Sequence, residues 1–330
     1  MACAPGTAVI RRRAKEVVGN VDHYEVVGEI SVRGSTEKDV LRDPESGHSY
    51  IAKLGGRNND LEVMTEYAIF LVGRSLGVTV AEARLARYRG RLRFLSRYFL
   101  DTGKSEELVH GMQLFKELYD EGTVKGVLGD ESREQAMFSV QAVKAAFGAH
   151  YVQYGPQTED DLFTGFVAML THDALIGVMD RHHENWGILV QREVSGPPPR
   201  FAPLYDSARG LFCNEREDNL SRWFKGIEGR QRLDRYVAKA RPLVGFDGLR
   251  PINRRSYITH DQLLAEIFRS YPAQRQQITS ILERYDWERV QEDLTKKTGG
   301  LCSPQRRALI LNCLRRRLRA IRRAIDARMG

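Results

Sequence analysis

Cysteine is scarce in this chain, and what there is does not group. The four residues Cys3, Cys213, Cys302 and Cys313 stand far apart or in no metal-ligand spacing. That argues against a disulfide frame and a zinc site, and is the pattern of reduced thiols in a cytoplasmic protein. No apolar run reaches the roughly eighteen residues of a membrane-spanning helix. A secretory leader is not expected either, because Met1-Ala2-Cys3-Ala4-Pro5 leads to Arg11-Arg12-Arg13 with no apolar run behind it. Internal repeats and long low-complexity segments are missing. Acidic residues are nearly missing from the C-terminal end, where residues 306–328 hold nine arginines and one acid, Asp326. The formal net charge of +8 is therefore carried by that segment, and the rest of the chain is formally neutral. A basic tail is a different object from a basic binding surface for nucleic acid.

What is present suits one two-lobed enzyme or two modest domains within 330 residues. Residues 24–32 and 49–54 read as strands, with Asp43-Pro44-Glu45-Ser46-Gly47 as the turn of a hairpin. A helix follows over 61–76, with Met64, Tyr67, Ala68 and Leu71 in period and Gly77 at its end. Asn59 is its candidate cap, with Glu62 as capping-box partner. Residues 78–99 read as two or three strands around a turn at 88–91. Beyond residue 105 the pattern becomes helical, most clearly over 159–179, where Leu162, Phe163, Phe166, Val167, Leu170, Ala174 and Val178 form a buried stripe. The polar run Asp180 to Asn185 then leads into two strands, at 186–190 and 200–205. From about 261 the chain is helical again. The expected fold is α+β: a small mixed lobe over 1–100, a junction near 96–103, and a larger, mostly helical lobe over 101–330.

Chemistry concentrates where the buried helix gives way to the polar loop and where the second strand delivers Asp206. Phosphate transfer from ATP needs such a set: one carboxylate to take the proton of the attacking hydroxyl, and a carboxylate with an amide oxygen to hold magnesium. The spacing from Asp180 to Asn185 is that of a protein-kinase catalytic loop. A polar turn with locally satisfied side chains is the alternative. In the first lobe, Gly34-Ser35-Thr36 permits close backbone approach to phosphates. Lys53 lies in the apolar frame Ile51-Ala52-Lys53-Leu54 and is costly there unless paired. Glu66, mid-helix, is a better partner than the capping Glu62. The alternative for Lys53 is a lysine snorkelling from a solvated strand face.

These residues resemble the HipA-like serine/threonine kinase family. The segment Ile30 to Lys38, ISVRGSTEK, resembles the family's phosphate-binding loop. Thr65 to Val78 resembles its Glu-bearing helix, Asp180-x-His182-x-x-Asn185 its catalytic loop, and Leu204-Tyr205-Asp206 its metal-binding Tyr-Asp. About thirty residues precede the loop where longer members carry an extra subdomain, so the chain looks like the compact form. The resemblance implies an ATP- and magnesium-dependent kinase with Asp180 catalytic, Lys53 on the phosphates, and Asn185 and Asp206 on the metal. It places Gly34, Ser35, Thr36, Lys38, Glu66 and His182 in the nucleotide site, with Arg97, Tyr98 and Phe99 at the adenine-facing hinge. Ser31 matches an autophosphorylated loop serine, where added charge close to the ATP phosphates implies inhibition. Family members often act as toxins of toxin–antitoxin pairs on translation factors. A protein substrate with a serine or threonine acceptor and an antitoxin-type regulator are thus the implied partners.

Two other readings stay open. Asp180-Arg181-His182-x-x-Asn185 with Trp186-Gly187 is also similar to the loop of phosphatidylinositol kinases, which implies a lipid or small-molecule acceptor. The helix over 305–328 sets Leu311, Leu314, Leu318, Ile321 and Ile325 at near-heptad spacing, with arginines on the other faces. A packing helix with a solvated basic face explains it. On a kinase scaffold, binding to RNA, to an anionic membrane surface or to a partner is the alternative, and that helix is the expected place for any nucleic-acid contact. His182-His183 suggests metal at first sight, but a carboxylate–amide magnesium site suits the neighbourhood better. His182 is expected to brace the loop.

Overall fold

The computed structural model describes residues 18–28, 38–55, 60–101, 103, 105–128, 130–191, 196–207, 209–250, 257–298 and 300–329. Ser31, Gly34, Ser35, Thr36 and the cap Asn59 lie outside them. By its contacts the chain divides into two units. The first takes Met1–Phe99, Ala208–Leu233 and Tyr285–Cys313; the second takes Leu100–Ser207, Asp234–Arg284 and Leu314–Gly330.

The first unit is built on a sheet of six strands: β1 (Gly19–Asn20), β2 (Glu25–Val26), β3 (Lys38–Arg42), β4 (Ser49–Lys53), β5 (Ala83–Tyr88) and β6 (Arg91–Arg97), in the order β1-β5-β6-β4-β3-β2. The turn expected at 43–47 forms. Asp43 accepts hydrogen bonds from Glu45 N–H and Ser46 Oγ, and Gly47 takes a positive φ of 71°. Its hairpin, however, joins β3 to β4, with Val40 opposite Ile51, instead of joining the strand expected at 24–32. Of that stretch only Glu25–Val26 is a described strand, and it pairs with the outer edge of β3. The tight turn dictates this outcome, because a hairpin pairs the residues that immediately flank its turn.

Helix α1 (Asp60–Ser75) packs on β5 and β6. Its periodic residues Met64, Ala68 and Leu71 are buried, and Gly77 follows its end with a φ of 67°. On the sheet, Leu41, Ala52, Ala86 and Leu95 form a core with Tyr24 and Tyr88.

In the second unit, β7 (Glu106–His110), β8 (Gly187–Gln191) and β9 (Arg200–Phe201) form an antiparallel sheet with β8 central. The two later strands were expected, β9 being shorter than anticipated. Strand β7 was not, since that stretch reads as the beginning of a helical region. Five residues carry little strand signal, and their partner β8 lies about eighty positions away in sequence.

The helices of this region are α2 (Gly111–Leu118), α3 (Glu121–Val127), α4 (Glu131–Met137), α5 (Val140–Tyr151) and α6 (Pro156–Ile176). Further on come α7 (Gly226–Lys239), α8 (His260–Ser270), α9 (Arg275–Glu283), α10 (Trp287–Lys296) and α11 (Pro304–Met329). Helix α10 packs on α1 within the first unit. Helix α6 is the axis of the second unit and touches α5, α8, α9 and β9. Its Phe166, with Phe147 and Phe201, encloses the fully buried indole of Trp186. Those rings fix the strand that follows the polar loop.

The apolar residues of α11 are buried as its spacing predicts. Its basic face is not uniformly solvated, because Arg306 and Arg317 are also buried. The Arg306 guanidinium is held by Glu217 and by the carbonyls of Phe212 and Glu215. Sequence period marks a face but not the arginine that meets a carboxylate there.

Candidate active site

Helix α6 ends because Gly177 turns left-handed, with a φ of 72° and its N–H on the Asp173 carbonyl at 2.7 Å. The chain leaves the apolar stripe at this point and enters the polar loop. Inside the loop, Asn185 N–H donates to the His182 carbonyl (2.9 Å), and Asn185 Nδ2 donates to the Asp180 carbonyl (2.9 Å). The amide nitrogen is thereby spent on closing the loop. This leaves Oδ1 as the donor atom for a cation. His182 Nδ1 accepts from Glu184 N–H at 3.4 Å.

The element that sequence reasoning left without a role is Arg181. Its guanidinium is buried and makes five hydrogen bonds. Nε and Nη2 donate to the Asp173 carboxylate at 2.8 and 2.9 Å. Nη1 donates to the carbonyls of Asn185 (2.9 Å) and Tyr205 (2.8 Å), and Nη2 reaches Ser207 Oγ at 2.7 Å. Two carbonyls that share one nitrogen cannot be further apart than its two bonds allow. The carbonyl of Tyr205 belongs to the peptide that leads into Asp206. The structure therefore brings Asn185 and Asp206 together through Arg181.

Asp173 sits in α6 with no exposure. Burial alone would raise its carboxyl, but the Arg181 guanidinium holds it well below the usual carboxylate range. A signal was available in the sequence: an aspartate in the middle of an apolar stripe must have a partner.

Asp206 itself adopts a φ of 50°, left-handed for a residue with a Cβ. Aspartate tolerates this better than most residues, and such strain collects at functional sites. Tyr205 is tied on both sides, its hydroxyl donating to the Glu184 carbonyl (3.1 Å) and lying 3.0 Å from His110 Nδ1. Burial pushes its phenol upward. His183 points the other way, into the rings of Phe115 and Phe138. Burial lowers its pKa to about 3, so it is a neutral packing residue.

In the first unit, Lys53 closes β4 and forms a 2.6 Å ion pair with Glu66 of α1, both side chains being largely buried. Glu66 is thus a partner of this lysine. Lys38 stands opposite Lys53 in the strand register. Arg97 binds Glu82 at 2.9 Å and lies 2.7 Å from His48 Nε2, and Tyr98 N–H donates to the Ser49 carbonyl at 2.8 Å. Among the described residues, no three His, Cys, Asp or Glu side chains converge. The amide oxygen of Asn185 and the carboxylate of Asp206 are hard oxygen donors, which fits magnesium. That ion takes one or two protein oxygens and completes its shell with water and phosphate.

The family model for the HipA-like C-terminal domain matches residues 30–260. The chain belongs to this family. No curated protein matches it. Among solved structures, the Helicobacter pylori proinflammatory kinase CtkA is similar at a TM-score of 0.70 and 19% identity, covering 94% of this chain and 99% of that one. At such identity the likeness speaks for the fold, which is the α+β, kinase-like fold anticipated above. HipA in the Shewanella oneidensis MR-1 complex of HipA, HipB and operator DNA gives a TM-score of 0.46 at 12% identity, covering 99% of this chain and 73% of that one. The HipA-like match spans the polar loop, Asp206 and the Lys53–Glu66 pair alike.

Proposed function

We propose that this HipA-like chain is an ATP- and magnesium-dependent serine/threonine protein kinase. The observation that carries the reading is the shared nitrogen of Arg181, which joins the catalytic-loop asparagine to the peptide of Asp206. In this reading Asp180 takes the proton of the substrate hydroxyl as it attacks. Asn185 Oδ1 and the Asp206 carboxylate hold the ion, whose positive charge offsets that of the phosphates. Lys53, oriented by Glu66, neutralises the α- and β-phosphates, and the family resemblance assigns Gly34, Ser35, Thr36 and Lys38 to the same nucleotide. Arg97, Tyr98 and Phe99 face the adenine. Phosphate on Ser31 opposes that of ATP and switches the enzyme off.

A protein acceptor, an antitoxin-type regulator and a cytoplasmic setting follow from family membership as parts of the same proposal. The match of Asp180-Arg181-His182-x-x-Asn185 to phosphatidylinositol kinase loops favours a second reading, a lipid acceptor. Incubation of the purified protein with ATP and magnesium, followed by mass spectrometry, tests the first. Phosphate should appear on Ser31, Ser35 or Thr36, and Asp180→Asn should lower transfer by at least about a hundredfold without loss of fold. Full activity in that variant rejects the assignment. Transfer only to phosphoinositide vesicles favours the lipid reading.

A further inference from the structure

The stretch that follows Asp206 in the chain has no role in the site described above, yet it is held at several points. Leu211 and Phe212 are both buried and both left-handed, with φ of 42° and 66°. Two successive residues with a Cβ adopt that conformation only where their surroundings impose it. The first turn of α11 does so. Arg306 has no exposure, and its guanidinium donates to the carbonyls of Phe212 (3.3 Å) and Glu215 and to the Glu217 carboxylate. Ser303 Oγ donates to the other oxygen of that carboxylate at 2.7 Å and accepts from Arg306 N–H at 3.1 Å. Phe212 packs edge-on against Trp223 with ring centroids 4.9 Å apart, and Arg222 pairs with Glu215 at 2.5 Å. One buried arginine thus fixes three points of the chain between 212 and 217.

Many protein kinases order the segment beyond the metal-binding aspartate by phosphorylating it, so that an arginine meets a phosphate. That route is closed within this stretch, because residues 208–220 contain no serine, threonine or tyrosine. The first hydroxyl beyond them belongs to Ser221, which is exposed. Glu217 supplies a permanent anion to the guanidinium instead. Charge-assisted bonds of this kind are strong and directional. The two carbonyl partners show that Arg306 does more than neutralise Glu217, because they make it set the backbone path.

We propose that Arg306 is a positioning residue for phosphate transfer: with Glu217 it holds residues 211–217 in the form that receives a protein acceptor, without phosphorylation of that segment. The inference rests on the kinase reading. It concerns the acceptor alone, since the peptide leading into Asp206 and the Ser207 hydroxyl are tied separately, through Arg181.

Kinetics of the full chain with ATP, magnesium and the peptide ISVRGSTEK, a copy of Ile30 to Lys38, test it. Glu217→Gln keeps the shape of a half-exposed side chain and removes its charge. It should raise KM for the peptide by at least about fivefold, with KM for ATP and the magnesium requirement within about twofold of native. Arg306→Lys keeps a positive charge but cannot span three acceptors; it should raise the peptide KM by at least about tenfold and speed amide exchange over 211–217. A merely structural loss lowers the amount of active protein and moves neither KM. Ser221→Ala should behave as the native protein does. If Arg306→Lys does not fold, Glu217→Gln decides alone. A native peptide KM in the folded variants overturns the inference and leaves the kinase reading standing, as does an equal rise in KM for ATP. A peptide KM raised as much by Ser221→Ala as by Glu217→Gln assigns the ordering to a phosphate and overturns it too. Transfer confined to the protein itself overturns the acceptor role. Absence of any transfer by the native protein removes the kinase reading, and this inference falls with it.

Discussion

Replacing Arg181 by methionine keeps most of the length and apolar bulk of the side chain and removes all five of its hydrogen bonds. Asp173, with no exposure, loses both of its guanidinium contacts at once. Breaking a buried ion pair from one side costs about 3–5 kcal/mol, a large share of the roughly 5–15 kcal/mol that holds a domain folded. The loss should depend on pH. In the native protein Asp173 is held below its unfolded value, so it adds stability above that value and loses it only in strong acid. In Arg181→Met, burial instead raises the carboxyl, so the deficit should be full at pH 7 and narrow as the pH falls toward about 4. Urea unfolding of both proteins at several pH values reads this directly.

The double variant Asp173→Leu/Arg181→Met separates stability from function. With the uncompensated carboxylate gone, most of the stability should return. The carbonyls of Asn185 and Tyr205 would still lack their common donor, so phosphate transfer should remain impaired and need more magnesium for half-maximal rate. A single variant within about 1 kcal/mol of the native protein would refute the energetic argument. A double variant with native magnesium dependence would refute the positional one.

Three further outcomes are expected. Burial depresses His183 and His260 to about 3 and about 4, so both are neutral in the fold. Their contribution is complete above about pH 6.5 and is lost at about 1.4 kcal/mol per pH unit per histidine on acidification; urea midpoints from pH 7 to 4.5 should show this, and His183→Phe should flatten the slope. Gly177→Ala adds a Cβ at a φ of 72° directly against the buried Arg317 guanidinium; it should cost about 1–3 kcal/mol in the same assay, with an unchanged midpoint counting against this packing. Glu66→Gln keeps shape but removes the charge paired with Lys53; under the proposed function it should raise KM for ATP by about tenfold in the protein that remains folded, and an unaltered KM would detach that pair from the nucleotide.

Much of the fold could be read from local pattern. The turn at 43–47, α1 with its buried Met64, Ala68 and Leu71, α6 with its stripe, and the apolar seam of α11 each rest on periodicity or turn chemistry within a few residues. The loop from Asp180 to Asn185 was legible for the same reason, because six polar residues between two apolar segments stand out without any partner being known. Strand β7 was not, since five residues mean little until β8 pairs with them. Nor was the partner of the 43–47 hairpin, where a longer Val- and Ile-rich stretch upstream drew the strand away from Lys38–Arg42. Arg181 stood out only through the loop's likeness to phosphatidylinositol kinases, and its partner Asp173 was not legible.

The sequence by itself determined most of the helices, the 43–47 turn and the order in which the chemical groups arrive: lysine strand, glutamate helix, aspartate–asparagine loop, second aspartate. Those are short-range matters, decided by spacing, capping and the wish of apolar side chains to leave water. Only the tertiary structure decided which charges are spent in the interior: Arg181 on Asp173 and two carbonyls, Arg306 on Glu217, Lys53 on Glu66. A buried charge takes whichever partner the packing brings within hydrogen-bond reach, and no local pattern announces that partner.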